Sequence, residues 1–267
     1  MNKEYGEQEM KNLSFMDKLI PGGLGKDEVL EVTIPTGQGK TTFTWQAAVA
    51  QALNKCHTLV MSFDPAETQL RIMTLTSGAS RETVKSVLKG TGELSREEQD
   101  RYEANKPLIE EYLHIADFSM DPAAYESVTE LLNKGVQICR HKDGTPLDIS
   151  ELDTVIIDWW DMVLNCIPAL KGKRDTAESQ LKEFNKEHGI RTAVTRQVSG
   201  KYGKNRDQSG DNYRDIWDHY MKASDMDCED GSFILSLVKS RTKPQNKVPM
   251  VIDGRYGQWR EQENPAA

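Results

Sequence analysis

The stretch that decides the fold is residues 28–42, which read Glu-Val-Leu-Glu-Val-Thr-Ile-Pro-Thr-Gly-Gln-Gly-Lys-Thr-Thr. Its first half, Glu28 to Ile34, alternates and is rich in β-branched residues, which predicts a strand. Residues Pro35 to Gly39 predict a tight loop, and residues Lys40 to Ala52 predict a helix that is apolar on one face. A strand, a glycine-containing loop and a helix in this order are typical of a phosphate-binding loop.

The loop meets most of the phosphate-binding template G-x-x-x-x-G-K-[ST], although Ile34 stands at the first glycine position. Glycines let the backbone N–H groups turn toward a phosphate, and the following helix directs its positive dipole end the same way. We therefore expect Lys40 to act as a catalytic charge on the β- and γ-phosphates of ATP. The alternative is a glycine-rich turn with a chance lysine. The expected ATP-binding residues are Thr36, Gly37, Gln38, Gly39, Lys40, Thr41 and Thr42.

A carboxylate ends the most apolar strand that the sequence predicts, residues 153–158. At the carboxyl end of a central strand, Asp158 would lie beside the phosphate loop. Asp158 and the hydroxyl of Thr41 are therefore predicted to hold Mg²⁺, a hard cation that prefers oxygen. The alternative is an aspartate that caps a turn. Asp161, on the loop expected to follow, is a second candidate for a metal or water contact, and the two tryptophans between them are expected in the core.

The rest of the chain alternates strands with helices. Further strands are predicted at residues 57–63, 113–118, 190–195, 232–239 and 248–253. Helices are predicted at 67–88 with a break at 77–80, in two short pieces within 91–112, and at 125–139, 176–188 and 216–224. This order predicts an α/β fold with a mostly parallel sheet and helices on both faces. The last two strands are close enough to form an antiparallel edge hairpin.

The composition excludes several classes of protein. The 267 residues suffice for one sizeable domain, and no run approaches the ~18 apolar residues of a membrane helix. The net charge of −8 disfavours a nucleic-acid binder over the whole surface and leaves room for a local basic groove. The N-terminus has no signal-peptide pattern. The four cysteines are scattered, with no C-x-x-C pair and no clustered histidines, so neither a metal site nor a disulfide framework is expected, and a reducing cytoplasm fits best; they are Cys56, Cys139, Cys166 and Cys228.

Several segments, in their order along the chain, resemble the RecA-like motor domain of DnaB-type replicative helicases, a group of P-loop NTPases. They are residues 22–28 before the loop, 62–70, 155–158, 193–197, 239–241 and 256–259. The resemblance implies a RecA-like ATPase domain over residues 15–262, with an N-terminal tail or arm at 1–14 and a C-terminal tail at 263–267. Too few residues precede it for the helical domain that normally begins the family, so we expect the motor domain alone.

The resemblance also implies roles for single residues. Asp64 stands where the family has the glutamate that polarises the attacking water, and it is one methylene shorter; Glu67 and Asp161 are backup candidates. Gln197 matches the residue that senses the γ-phosphate. Lys239 and Arg241 match residues that a neighbouring subunit inserts against the γ-phosphate, where an arginine stabilises the transition state. On pattern alone these two are ordinary edge-strand charges. A role in trans implies an oligomer, and the family forms hexameric rings.

Two basic loops are the expected contacts with single-stranded DNA, because positive charge on a flexible backbone suits non-specific binding of phosphates. They contain Lys171, Lys173 and Arg174 in the first and Lys201, Tyr202, Lys204 and Arg206 in the second. The alternative is that both are solvated surface loops. Trp217 stands where the family has an arginine that approaches DNA, which moves the expected contact onto the second loop.

The leading hypothesis is an ATP-dependent DNA helicase motor that hydrolyses ATP and translocates on single-stranded DNA in replication. Such a motor would work with a primase or loader protein in the cytoplasm of a bacterial or phage-infected cell. A RecA-like recombinase would share the fold and coat DNA without unwinding it. A regulatory or loader ATPase that uses nucleotide as a switch is a third hypothesis, and a small-molecule kinase is a weak fourth.

Overall fold

The computed structural model describes residues 14–20, 22–119, 125–198, 217–225, 227 and 229–262. Within these ranges the helices are α1 (Ser14–Leu19), α2 (Lys40–Leu53), α3 (Thr68–Ser77), α4 (Arg81–Leu88), α5 (Arg96–Tyr112), α6 (Val128–Val136), α7 (Trp160–Cys166) and α8 (Arg174–His188). The strands are β1 (Val29–Pro35), β2 (Thr58–Ser62), β3 (Leu113–Asp117), β4 (Thr154–Asp158), β5 (Arg191–Val198), β6 (His219–Ser224), β7 (Ser232–Ser240), β8 (Asn246–Asp253) and β9 (Gln258–Glu261). Short 3₁₀ turns lie at Ile149–Glu151 and Pro168–Leu170.

All nine strands of the described residues form one sheet in the order β3-β2-β4-β5-β1-β6-β7-β8-β9. The strands from β3 to β6 in this order are parallel, and β7, β8 and β9 continue the sheet antiparallel. The predicted fold class, a mostly parallel sheet with an antiparallel C-terminal edge, is therefore confirmed. The register aligns Ser62 with Asp158 and Ile34 with Gln197, so these strand ends share the carboxyl edge of the sheet.

Strand β4 explains why helices cover both faces of the sheet. Successive side chains of a strand point to opposite faces. Val155 and Ile157 are buried in one apolar cluster with Phe184 of α8, whereas Ile156 is buried in another with Trp45 of α2. An apolar residue at every position of a strand is typical of a parallel strand that is buried on both sides.

The predicted helix at residues 216–224 is wrong, because residues 219–224 form the strand β6 between β1 and β7. Its His219, Met221 and Ala223 are buried, and pairing with two distant strands overrides the local pattern. Two short helices within 91–112 are also wrong. One helix, α5, runs through this region from a capping box made by Ser95 and Glu98.

The remaining local predictions have mixed outcomes. Ser80 caps α4 as predicted, and its side chain accepts a hydrogen bond from the backbone N–H of Thr83. The loop expected after Asp158 is instead the short helix α7, which begins at Trp160, and the edge strand β9 was not predicted. Among the described residues, no helix has both the length and the apolar character that crossing a membrane requires.

Candidate nucleotide-binding site

The loop between β1 and α2 has the backbone of a phosphate-binding loop. Gly37 and Gly39 have φ of 76° and 84°, the left-handed region that favours glycine. A Cβ on Gly39 would also lie 2.7 Å from Nε1 of Trp259, so Gly39 is needed both for its φ and for this close approach. Ile34, at the template's first glycine position, is buried inside β1. The tight part of the loop therefore begins after β1, which ends at Pro35.

Lys40 and Asp158 meet in the buried centre of the site. The Nζ of Lys40, at the start of α2, contacts Oδ1 of Asp158, at the end of β4. The same oxygen accepts a hydrogen bond of 3.1 Å from Oγ1 of Thr195, and the Lys40 ammonium lies 4.5 Å from the centroid of the Trp159 ring. Asp158 is 1% exposed. The structure therefore brings these two candidate site residues together.

The second carboxylate oxygen of Asp158 gives a test for a metal ion. Its Oδ2 is buried and has no hydrogen-bond partner among the described residues. Buried carboxylate oxygens are normally hydrogen-bonded, paired with a charge or bound to a metal. Thr41, half-buried in the first turn of α2, offers the hydroxyl oxygen that Mg²⁺ prefers. The residues present therefore fit Mg²⁺ held between Thr41 and Asp158.

Gln197 lies directly on the phosphate loop. Its strand β5 pairs with β1, with Gln197 beside Ile34, and its Nε2 donates a hydrogen bond of 2.8 Å to Oγ1 of Thr36. A side-chain amide can donate to a phosphate oxygen and accept from water. A phosphate bound in the loop would therefore compete with Thr36 for the amide N–H of Gln197.

Asp64 follows the end of β2 at the same edge of the sheet. Its carboxylate is exposed, and its backbone N–H donates to Oγ of Ser62, the residue that pairs with Asp158. Asp64 therefore lies two residues beyond Ser62, the end of β2, which is next to the candidate metal ligand Asp158. The backup candidate Glu67 is instead engaged in ion pairs with Arg71 and Arg81.

Arg71 is a residue near the site that the sequence interpretation missed. Burial, and then repulsion from Arg81, lowers the pKa of Arg71, while the carboxylates of Glu67, Asp158 and Asp64 raise it. The Nε of Arg71 is buried without a hydrogen-bond partner among the described residues. The available signal was its spacing: Arg71 is four residues after Glu67, which immediately precedes α3, and this spacing lets the two side chains pair.

Asp161, the other backup candidate, belongs to a network of charges that joins α7, α8 and β5. Its carboxylate lies 3.6 Å from both Arg174 and Arg196. The Nε of Arg174 donates a hydrogen bond of 2.6 Å to Glu178. Burial raises the pKa of Glu178 to about 7, although Arg174 lowers it. The side chain of Arg174 is 11% exposed, so this predicted DNA contact is mostly covered, whereas Lys171 and Lys173 are exposed.

Trp217 is a core residue. It is fully buried, its indole N–H donates to Glu31 of β1, and its ring packs edge-on against Trp160 at 5.7 Å. This contact explains why the position does not offer a side chain to solvent. The other predicted DNA contacts, Lys201, Tyr202, Lys204 and Arg206, lie outside the described residues.

Lys239 and Arg241 are not brought to the phosphate loop. Strand β7 runs antiparallel to β6, so it ends at the amino edge of the parallel strands. Lys239 pairs with Tyr220, and Arg241 lies 3.4 Å from Asp218, whose carboxylate accepts a hydrogen bond from the backbone of Val29 at the start of β1. The length of β1, ~20 Å, separates this edge from the loop.

The strand order, the loop and the buried acidic strand end define a RecA-like P-loop fold. No protein-family model and no curated protein matches the sequence. Among solved structures, the ATPase domain of a DnaB-like helicase has a TM-score of 0.68 and 14% identity, over 95% of this chain and 90% of that chain. A DnaB-like replicative helicase, described with its interactions with primase, has a TM-score of 0.69 and 15% identity, over 95% of this chain and 61% of that chain.

The RadB recombinase also has this fold, with a TM-score of 0.56 and 15% identity over 92% of this chain and 96% of that chain. The chain therefore has the RecA-like fold of DnaB-like helicase ATPase domains. This likeness confirms, for the fold, the resemblance on which the sequence interpretation relied.

Proposed function

We propose that this chain is the motor of an ATP-dependent DNA helicase, which hydrolyses ATP with Mg²⁺ at interfaces between identical subunits and translocates on single-stranded DNA. The observation that carries the proposal is the buried contact of Lys40 with Asp158 beside a two-glycine loop. A lysine and a strand-end carboxylate at a helix N-terminus are the parts with which P-loop enzymes bind a triphosphate and its metal.

The residues of the site would divide the work of hydrolysis. The backbone N–H groups of the loop bind phosphate oxygens, and Lys40 exchanges its contact with Asp158 for one with the β- and γ-phosphates. Thr41 and Asp158 would hold Mg²⁺, which when bound would supply positive charge to neutralise the phosphates. The exposed carboxylate of Asp64 polarises the attacking water, and its short side chain makes a close approach or a bridging water necessary.

Gln197 would report whether a γ-phosphate is present. In the structure its amide bonds to Thr36 of the loop, and it stands at the end of β5, just before the basic segment 201–206. An amide that exchanges this bond for one with the γ-phosphate would pull on the start of that segment. The proposed DNA contacts are Lys201, Tyr202, Lys204 and Arg206, together with the exposed Lys171 and Lys173 of the first basic loop. Arg174, at the start of α8, would instead orient that loop through its contacts with Asp161 and Glu178.

The location of Arg241 supports hydrolysis at a shared interface. Arg241 is half-exposed at the amino edge of the sheet, ~20 Å from the phosphate loop of its own chain. An arginine side chain cannot span that distance, so a role for Arg241 at a phosphate loop requires the loop of a neighbouring copy. Head-to-tail contacts of this kind close into rings when the rotation permits, and we propose a hexamer.

A RecA-like recombinase is the second candidate, because RadB has the same fold over 96% of its length. Both candidates hydrolyse ATP, and they differ in assembly and in work on DNA. Negative-stain images with ATP and single-stranded DNA separate them, since rings favour the helicase and open filaments the recombinase. One of the similar helicases is described as interacting with primase. A primase or a loader protein is therefore the partner that we propose for a helicase ring.

ATP hydrolysis with and without single-stranded DNA tests the proposal. We expect the wild-type rate to rise with DNA and the Lys40→Ala rate to fall to background. The matched control is Lys134→Ala, which removes an exposed lysine of α6 and should leave the rate unchanged. A wild-type rate no higher than that of Lys40→Ala would refute hydrolysis. A rate that ignores DNA would favour the nucleotide switch over the motor.

Mixing two inactive variants tests the shared interface. Lys40→Ala subunits keep Arg241, and Arg241→Ala subunits keep the phosphate loop. When the two variants are mixed in equal amounts and assemble at random, roughly one interface in four combines an intact phosphate loop with an intact Arg241. About a quarter of the wild-type rate should therefore return. Lys247→Ala, at an exposed position of β8, is the control for Arg241→Ala. No recovery in assemblies that are verified as mixed would contradict a role in trans.

A further inference from the structure

Three metal-ligating side chains converge at the amino edge of β2 and β3, away from the phosphate loop. His57 immediately precedes β2, Glu111 lies near the end of α5, and His141 lies in a turn after α6. One ligand atom from each lies within 4.8 Å of the other two. Three separate segments thus deliver two imidazoles and a carboxylate to one half-buried place.

Each of these three side chains already has a partner that orients it. A ring nitrogen of His57, Nδ1, lies 3.1 Å from Nε2 of His114. The Oε2 of Glu111 accepts a hydrogen bond of 3.0 Å from the backbone N–H of Lys142. The Nε2 of His141 lies 3.4 Å from Oε2 of Glu151. Metal-binding histidines and carboxylates are normally fixed by such outer partners.

The distances in the cluster are close to those of a tetrahedral site. With metal–ligand bonds of about 2.1 Å, the ligand atoms of a zinc site lie ~3.4 Å apart. Nδ1 of His141 and Oε1 of Glu111 are already 2.9 Å apart, and the rings of His57 and His141 meet edge to face with centroids 5.5 Å apart. Since the ligand atoms all lie within 4.8 Å of one another, closing the widest gap needs a side-chain movement of at most ~1.4 Å.

We propose that His57, Glu111 and His141 bind one Zn²⁺ ion, with water as the fourth ligand. Two imidazoles and one carboxylate form a ligand set that Zn²⁺ accepts, whereas Mg²⁺ and Ca²⁺ prefer oxygen alone. The five residues of β2 separate the cluster from the nucleotide edge by about 16 Å. The ion would therefore tie α5, β2 and the turn after α6 together and stabilise the fold, without touching ATP.

Titration of the full chain, stripped of metal with a chelator and free of nucleotide, tests this site. Calorimetry with ZnCl₂ should give one ion per chain, and CoCl₂ should produce the visible absorption bands of a tetrahedral cobalt site. Addition of Zn²⁺ should raise the melting temperature, because the ion binds the folded chain. Excess Mg²⁺ should displace neither metal.

Variants assign the binding to the cluster. His141→Ala and Glu111→Gln should each weaken Zn²⁺ binding by at least about tenfold, and His114→Gln, which removes an outer partner, should weaken it by ~10-fold or more. His188→Gln is the matched control, because this histidine lies at the end of α8 against Phe184. Asp158→Asn should leave Zn²⁺ binding unchanged, which separates the cluster from the nucleotide site. Circular dichroism of each metal-free variant verifies its fold.

Three results would overturn the proposal. The first is no stoichiometric Zn²⁺ binding to the wild-type chain. The second is equal affinity of folded His141→Ala, folded Glu111→Gln and wild type. The third is loss of the ion in Asp158→Asn, which would assign it to the nucleotide site. In each case the histidines and carboxylates form a hydrogen-bond network only.

Discussion

Glu31 is the buried carboxylate whose removal we expect to be felt most strongly outside the nucleotide site. Its side chain is 3% exposed and accepts from Nη1 of Arg196 at 3.3 Å, from Oγ1 of Thr33 at 3.1 Å and from Nε1 of Trp217. Burial lowers the pKa of Arg196, but Glu31 and Asp161 outweigh it and raise that pKa. Glu31→Gln keeps the shape of the side chain and removes its charge.

The expected cost of Glu31→Gln lies between two limits. Breaking a buried ion pair costs ~3–5 kcal/mol, and losing one neutral hydrogen bond costs ~1 kcal/mol. Arg196 keeps Asp161 at 3.6 Å, which lowers the cost, whereas the new amide N–H must face the hydroxyl of Thr33 or the indole of Trp217, which raises it. We expect the free energy of unfolding to fall by about 2–3 kcal/mol.

Urea denaturation followed by tryptophan fluorescence measures this change. For a domain of this size, ~2–4 °C of melting temperature is lost per kcal/mol, so the melting temperature should fall by roughly 4–12 °C. The control Glu187→Gln changes an exposed glutamate of α8 and should stay within about 0.5 kcal/mol of wild type. A loss below ~1 kcal/mol for Glu31→Gln would refute the idea that this carboxylate holds Arg196 and Trp217 in place.

Three further predictions concern the loop, the metal and pH. Gly39→Ala should weaken binding of a fluorescent ATP analogue by at least about tenfold, because the new Cβ meets Trp259. Gly144→Ala, at φ of 86° with open space around it, should bind normally, and equal binding by both variants would contradict the steric argument. Asp158→Asn should lower the hydrolysis rate by ~10²-fold or more and raise the Mg²⁺ concentration that gives the half-maximal rate. An unchanged Mg²⁺ titration would contradict a role of Asp158 as a metal ligand. Burial, with repulsion from His57 and His141, lowers the pKa of His114 to about 4 in the folded chain, whereas its ordinary pKa is 6.5. Between pH 4 and 6.5 the unfolded chain therefore binds more protons than the folded chain. Stability of the metal-free protein should therefore fall as pH drops from 6.5 toward 4, and His114→Gln should flatten this slope in urea melts; an equal slope in both proteins would contradict it.

The contact between Lys40 and Asp158 was predictable because the segments that form it are local in sequence. The strand β1, the two glycines and the start of α2 are contiguous, and β4 is recognisable from its own apolar run that ends at Asp158. Parallel strands bring their carboxyl ends to one edge, so two local patterns were enough to place Lys40 beside Asp158. The contact between these two side chains follows from that topology.

The features that sequence interpretation missed depend on contacts between distant segments. Arg71 belongs to the site only because α3 follows β2 at the carboxyl edge. His57, Glu111 and His141 come from three segments without metal-ligand spacing, so no motif could have joined them. The burial of Trp217 could not be predicted locally, because its indole N–H donates to Glu31, which lies on the distant strand β1.

The most consequential error concerns residues 216–224. A helix there would connect β5 to β7 by a crossover, and strands joined by such a crossover run parallel. Strand β7 would then end at the carboxyl edge, and Arg241 would lie on the same side as the phosphate loop of its own chain. Because residues 219–224 form the strand β6, parallel to β1, β7 returns antiparallel and places Arg241 at the amino edge. One element that local pattern assigns wrongly thus decides between an arginine that acts within its own chain and the one that we propose to act on a neighbour.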